Sequence, residues 1–327
     1  SYSLPPYNYF IINFITFSLF FTFIFNERKK TLSNKSLFGY GWCFGFGYFL
    51  FSLYWIAISL TFDPSFKFLI PFVVVLLPAF LAIFYGLITY LFSIFYLKSL
   101  ISSFFVFSIL FGAMEFVRGH IFTGFPWNLI SFSFSSSLNF IQILSIIGTY
   151  SFNLICISLF TVPALFILRS SRLEIVVCFF LVFVSVSFLI FGKIKNDNFN
   201  LLESKKNPYI IKAISPNISL DRFFSKHEEL QIINELIKLS APNKKEPTIY
   251  LWPEGIISDS YLKDMSEYKN LFLDNFGKND LIIMGLNSIE TKDDKKLFFN
   301  SMGVFNNKTD LIAKYNKINL VPFGEFI

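Results

Sequence analysis

The chain has 327 residues, of which 54% are hydrophobic, 20% aromatic and only 15% charged, with 48 Phe; this is too apolar for a soluble globular protein and reads as a polytopic membrane protein. Charge is unevenly divided, since residues 1–192 hold 9 of the 28 Lys+Arg and 4 of the 22 Asp+Glu, leaving 19 and 18 to residues 193–327. The net charge of +6 is thus +5 from the apolar part and +1 from the polar part, which speaks against a nucleic-acid-binding surface and fits charged membrane loops.

Apolar stretches of about 18 residues or more can cross a hydrocarbon core as helices. Six such spans are predicted, over residues 8–25, 36–60, 68–97, 99–117, 138–168 and 173–191. Pro71, Pro78 and Pro163 offer places where the longer ones can kink. The first, third and fifth connections carry Arg28, Lys29, Lys30, Lys35, Lys98, Arg169 and Arg172, whereas the second and fourth carry only Lys67 and Arg118. Positive loops stay cytoplasmic, so the chain after Gly192 is expected outside that compartment, in the periplasm or at the cell exterior. Glu115 and Arg118 stand one helical turn apart near an outer span end and are expected to pair. Gly41, Gly45 and Gly47 allow close helix packing. Cys43, Cys156 and Cys178 all lie in apolar runs and suggest neither a disulfide framework nor a metal site.

Residues 193–327 alternate strand-like and helix-like patterns. Strands are predicted over 209–214, 248–252, 281–286, 297–305 and 311–315, with helices over 222–239 and 261–276, the order of a layered α/β domain. Two segments there can carry chemistry. Tyr250-Leu251-Trp252-Pro253-Glu254-Gly255 is a strand ending in Pro and then an acid. A carboxylate beside apolar walls at a strand end can serve as a general base, although a solvated turn residue or a helix cap has the same local signature. Lys314-Tyr315-Asn316-Lys317-Ile318-Asn319-Leu320-Val321-Pro322-Phe323-Gly324-Glu325 sets a lysine between a strand and an apolar loop that ends in a second acid. A fixed ammonium there can stabilise an oxyanion, and a surface lysine beside a Pro-Gly turn is the plainer alternative. His120 and His227 show no ligand spacing.

Together these segments resemble the carbon-nitrogen hydrolase (nitrilase) superfamily, with its Glu, Lys, Cys triad in that chain order. The polytopic first half narrows the resemblance to the apolipoprotein N-acyltransferases. Gly39-Tyr40-Gly41-Trp42-Cys43-Phe44-Gly45-Phe46-Gly47 leading to Trp55, Thr123-Gly124-Phe125-Pro126-Trp127, Ser215-Pro216-Asn217-Ile218, Phe299-Asn300-Ser301 and Leu320-Val321-Pro322-Phe323-Gly324-Glu325 carry it further. The resemblance implies a helical membrane domain over 1–192 and the first part of a nitrilase-like αββα domain over 193–327. It makes Glu254 the base, Lys317 the oxyanion-holding lysine and Glu325 a second acid, with no cofactor. Trp127, Phe224 and Asn300 are candidates for substrate contact, Trp127 being also a candidate interfacial anchor. The implied reaction moves an acyl chain from a membrane phospholipid to the α-amino group of a diacylglyceryl-Cys apolipoprotein through a thioester on a monomeric enzyme. The chain begins with Ser rather than Met, Pro5-Pro6-Tyr7 resembles the middle of the family's N-terminal membrane region, and residues 193–327 contain no Cys; a fragment at both ends is expected, inactive without the nucleophile further along. A membrane-anchored nitrilase or amidase and, more remotely, a transporter with an extracytoplasmic binding domain are the rival readings.

Overall fold

The computed structural model describes every residue except 1, 31–32, 62–63, 122–123, 202–207, 218–228, 258–260, 293–294 and 321–327. It divides into two compact units, Ser1–Glu203 and Ser204–Ile327.

The first unit is helical: α1 (Ile11–Lys29), α2 (Asn34–Leu53), α3 (Ile70–Ile94), α4 (Leu100–Arg118), a short α5 (Leu138–Ile141), α6 (Leu144–Ile167) and α7 (Arg172–Leu201). Among the described residues five segments are long and apolar enough to cross a membrane: Asn34–Thr61, Pro64–Ile94, Leu100–Arg118, Leu144–Ile167 and Arg172–Leu201. That is one fewer than the six spans expected. The missing one is residues 8–25, where Asn8 has φ 56° and the helix begins only at Ile11. From Ile11 to Phe25, before Asn26, Glu27, Arg28 and Lys29, the apolar run is about 22 Å long at 1.5 Å per residue, short of a core of roughly 30 Å.

Lipid tails are as apolar as Phe and Leu, so these helices are held by close packing and by polar contacts rather than by exclusion of water. Their core is aromatic, with ring centroids 5.4 Å apart for Phe17–Phe111, 5.3 Å for Phe21–Phe107 and 4.9 Å for Tyr85–Phe111. The α2–α3 contact depends on two glycines. A Cβ on Gly41 would sit 2.2 Å from Thr89 Oγ1, and one on Gly45 2.7 Å from Tyr85 Cβ. Gly47, expected to share this role, faces open space. Pro163 breaks the hydrogen-bond ladder of α6, and Ser18 of α1 enters there. Its Oγ donates to Phe160 O and accepts from Ala164 N, both at 3.2 Å.

The second unit is a mixed five-stranded sheet in the order β1 (Ile210–Ala213), β2 (Thr248–Leu251), β3 (Leu281–Lys292), β4 (Lys295–Phe305) and β5 (Leu311–Asn316). The first three strands are parallel, and β4 and β5 run antiparallel to their neighbours. One face is covered: Tyr250, Trp252, Ile282 and Met284 bury against Ile233 and Leu236 of α8 (Glu229–Ser240) and Phe272 of α9 (Lys269–Asn275). The expected helix over 261–276 is a 3-10 stretch, Leu262–Tyr268, followed by α9. The opposite face leaves Ile211, Met302 and Tyr315 exposed.

Candidate functional site

Strand β2 begins buried at Thr248, whose N–H donates to the buried Asp280 at 2.9 Å. Beyond Leu251, Trp252 N still donates to Ile283 O at 2.8 Å and its indole N–H to Ser240 Oγ at 2.9 Å. Pro253 has no N–H to continue the ladder. Gly255 then takes φ +63°, a turn conformation that a side chain disfavours. Glu254 is thereby delivered past the carboxyl end of a parallel strand, where open α/β sheets commonly place ligands.

Room for it comes from the neighbouring strand. A Cβ on Gly285 of β3 would lie 2.8 Å from Glu254 Cα. Across β4 and β5, Ser301 pairs with Asn316, and the ladder runs one step further through Lys317 N to Asn300 O at 2.8 Å. Side chains alternate along a strand, so Asn300 and Lys317 share the face toward Glu254 while Ser301 and Asn316 share the other. Glu254 Oε1 then receives Lys317 Nζ at 3.1 Å and Asn300 Nδ2 at 2.8 Å. The acid and the lysine, 63 positions apart, form one cluster.

This pair is open, with side-chain exposure of 60% for Glu254 and 30% for Lys317. Exposed ion pairs contribute about 0–1 kcal/mol, so fold stability is a weak reason for holding the two charges together. Lys317 borders two recesses and Glu254 the smaller of them. One, of about 450 Å³, is lined by Gly255, Tyr261, Leu286, Phe299, Asn300 and Lys317. The other, of about 310 Å³, is lined by Trp252, Glu254, Gly285, Asn300, Met302 and Lys317. A carboxylate, an ammonium and apolar walls on one rim can accept a proton, hold an oxyanion and receive an acyl chain.

The other expected residues fall elsewhere. Phe224 and Glu325 lie outside the described residues. Trp127 belongs to the first unit, stacked on Trp55 with ring centroids 5.1 Å apart. Its loop is held from within the helices. Arg118, fully buried and paired with Glu115, donates through Nη1 to Phe125 O at 2.7 Å and to Trp127 O at 3.0 Å. Sequence reasoning missed Gly285 altogether and did not foresee that Asn300 bonds Glu254. An Asn flanked by Phe299 within a strand was the available signal, because an amide amid apolar strand residues calls for a partner.

Residues 1–162 match the family described as the apolipoprotein N-acyltransferase N-terminal domain. The chain is 28% identical to the apolipoprotein N-acyltransferase of Rhizobium etli, across 99% of this chain and 63% of that protein. It is 26% identical to the one of Brucella melitensis (99% and 62%) and 24% identical to the one of Rhodopseudomonas palustris (100% and 63%). It thus spans slightly under two thirds of the length of the curated relatives it matches.

Proposed function

Because this chain belongs to the apolipoprotein N-acyltransferase family, we propose that it forms part of an enzyme that N-acylates lipoproteins at the bacterial inner membrane. The observation that carries the reading is the convergence of Glu254 and Lys317, just past the ends of β2 and β5, with Asn300 of β4 on one apolar-walled rim. In this reading a cysteine thiol attacks the ester carbonyl of a membrane phospholipid. Glu254 takes the thiol proton, Lys317 holds the oxyanion, and a lysophospholipid leaves to give a thioester. The α-amino group of a diacylglyceryl-Cys apolipoprotein then attacks the thioester, Glu254 takes its proton, and the thiol is released. Glu325 acts as a second acid. Residues 204–327 hold no Cys, so the nucleophile is assigned to the part of the relatives' length that this chain does not span.

The second unit is, in the same reading, part of a nitrilase-like αββα sandwich. Support comes from its sheet, covered by α8 and α9 on one face and bearing exposed Ile211, Met302 and Tyr315 on the other, where a second sheet would pack. Multi-pass helices suit the chemistry, because both substrates keep their acyl tails in lipid.

The test is thioester accumulation by the full-length enzyme on phospholipid vesicles, followed by transfer to a diacylglyceryl peptide. Glu254→Gln keeps the shape and removes the base, so thioester formation should fall by about 10²–10⁴-fold with little change in binding. Lys317→Met should lower it by about 10²–10³-fold. A Glu254→Gln enzyme acylated at the wild-type rate would remove the assignment, and release of free acid or ammonia without transfer would favour a hydrolase.

A further inference from the structure

Behind Lys317, on the covered face of the sheet, a row of polar side chains crosses three strands. Ser288 of β3 and Ser301 of β4 share a hydrogen bond of 2.7 Å, and both are nearly fully buried. Asn316, the last residue of β5, accepts through Oδ1 from Ser301 Oγ at 2.8 Å, which leaves Ser288 donating to Ser301, with Ser288 Oγ 3.4 Å from the same Oδ1. Its Nδ2 donates to Glu290 Oε1 at 3.0 Å, and that oxygen also receives Lys314 Nζ at 2.6 Å. Along the same face Ile282, Met284, Leu286 and Phe305 are all buried.

Such a row is costly unless every member is satisfied, and an amide is the side chain that both accepts from buried hydroxyls and donates to a carboxylate. Its position matters as much as its chemistry. A slip of one residue in β5 would turn Lys317 to the covered face and Asn316 to the open one, because strand side chains alternate. Ser301 pairs with Asn316 in the ladder, so the register that satisfies the row is the one that sets Lys317 opposite Asn300.

We propose that Asn316 is a positioning residue for Lys317: by locking the end of β5 to Ser301, Ser288 and Glu290 it fixes the register that presents the ammonium to Glu254. Asn316 touches no reacting atom. The inference rests on the reading of Glu254 and Lys317 as the reacting pair, and its test keeps the two separable.

The experiment compares Asn316→Ala with wild type and with the double variant Asn316→Asp/Glu290→Gln in the full-length enzyme. The double variant reverses donor and acceptor across the same pair while leaving the serines a carboxylate to bond. Amide hydrogen exchange reads the register without reference to activity, since Lys317 N–H is bonded to Asn300 O. In Asn316→Ala the Lys317 amide should exchange about tenfold or more faster while the amide of Ala313, paired with Val304, keeps its protection. Thioester formation on phosphatidylethanolamine vesicles should fall about tenfold or more with the apparent KM for vesicles unchanged, as for a misplaced group. The double variant should recover both readouts. Wild-type exchange at Lys317 would overturn the proposal, and so would faster exchange spread along all of β5, which marks a merely structural role. If Lys317→Met formed the thioester normally, the catalytic reading would fall while the exchange result still decided the register.

Discussion

Gly285 is the residue at which space alone decides the site. Its missing side chain leaves room for the Glu254 backbone, since an added Cβ would stand 2.8 Å from Glu254 Cα and 3.3 Å from Glu254 Cγ. Gly285→Ala is therefore expected to displace the acid from Lys317, to cost about 1–3 kcal/mol of stability by overpacking, and to lower thioester formation by more than its effect on unfolding explains. A crystal structure of the variant with the 3.1 Å pair intact would contradict this. Glu254 and Lys317 were singled out by their resemblance to a family triad, since on local pattern alone a solvated turn acid and a surface lysine were the plainer readings. Gly285 and Asn316 were not legible, and Asn300 was expected at the substrate rather than on Glu254. Their roles arise from cross-strand register, such as Asn287 opposite Asn300 and Ser301 opposite Asn316, and no local pattern encodes which residue of one strand faces which of the next.

At the scale of elements, the glycines of α2 separate packing from spacing. Gly41→Ala should drive α2 from α3, because Thr89 Oγ1 and the Tyr85 carbonyl stand 2.2 and 2.4 Å from the added carbon, whereas Gly47→Ala meets nothing within 4 Å. Thermal unfolding in detergent should show a loss of about 1–3 kcal/mol for the first and a neutral or slightly positive change for the second. Equal effects would refute the packing assignment. In the sheet, Lys314 and then Asn316 hydrogen-bond Glu290 and hold its carboxyl below the ordinary value of 4.5. A depressed folded-state value means that this contribution is present above pH 4.5 and is lost as pH falls through the lower folded value. Acid should therefore loosen β5 from β3 in the wild type, and Glu290→Gln should remove that part of the pH dependence when amide exchange of β5 is followed from pH 6 to about 3. Residues 287–292 of β3 were not read as strand because Asn, Ser, Glu, Thr and Lys there look like a loop. Pairing with β4, down to Lys292 opposite Lys295, keeps them extended.

Across the whole molecule the division between apolar and polar parts was plain from the distribution of charge, but the number of spans was not. Composition could not reveal that the helix of α1 starts late, at Ile11, and meets charge at Glu27. The orientation does not depend on that helix. Counting from α2, five segments among the described residues can cross, and the charges at their ends alternate between the cations Arg28, Lys29, Lys30 and Lys35, the single Lys67, Lys98, an Arg118 buried against Glu115, and Arg169 with Arg172. Removing Arg118 from the count of free loop charges sharpens the contrast, because a buried, paired guanidinium does not face a compartment. With Asn34 on the cytoplasmic side, five crossings leave the chain after α7 on the opposite side whether or not α1 spans. The expected outcome is concrete. With Cys43, Cys156 and Cys178 replaced by Ser, a membrane-impermeant maleimide should label Asn279→Cys in intact cells and Asn34→Cys only after permeabilisation. Labelling of Asn34→Cys from outside would invert the topology and place Glu254 and Lys317 in the cytoplasm, away from the lipid leaflet that the proposed acyl transfer requires.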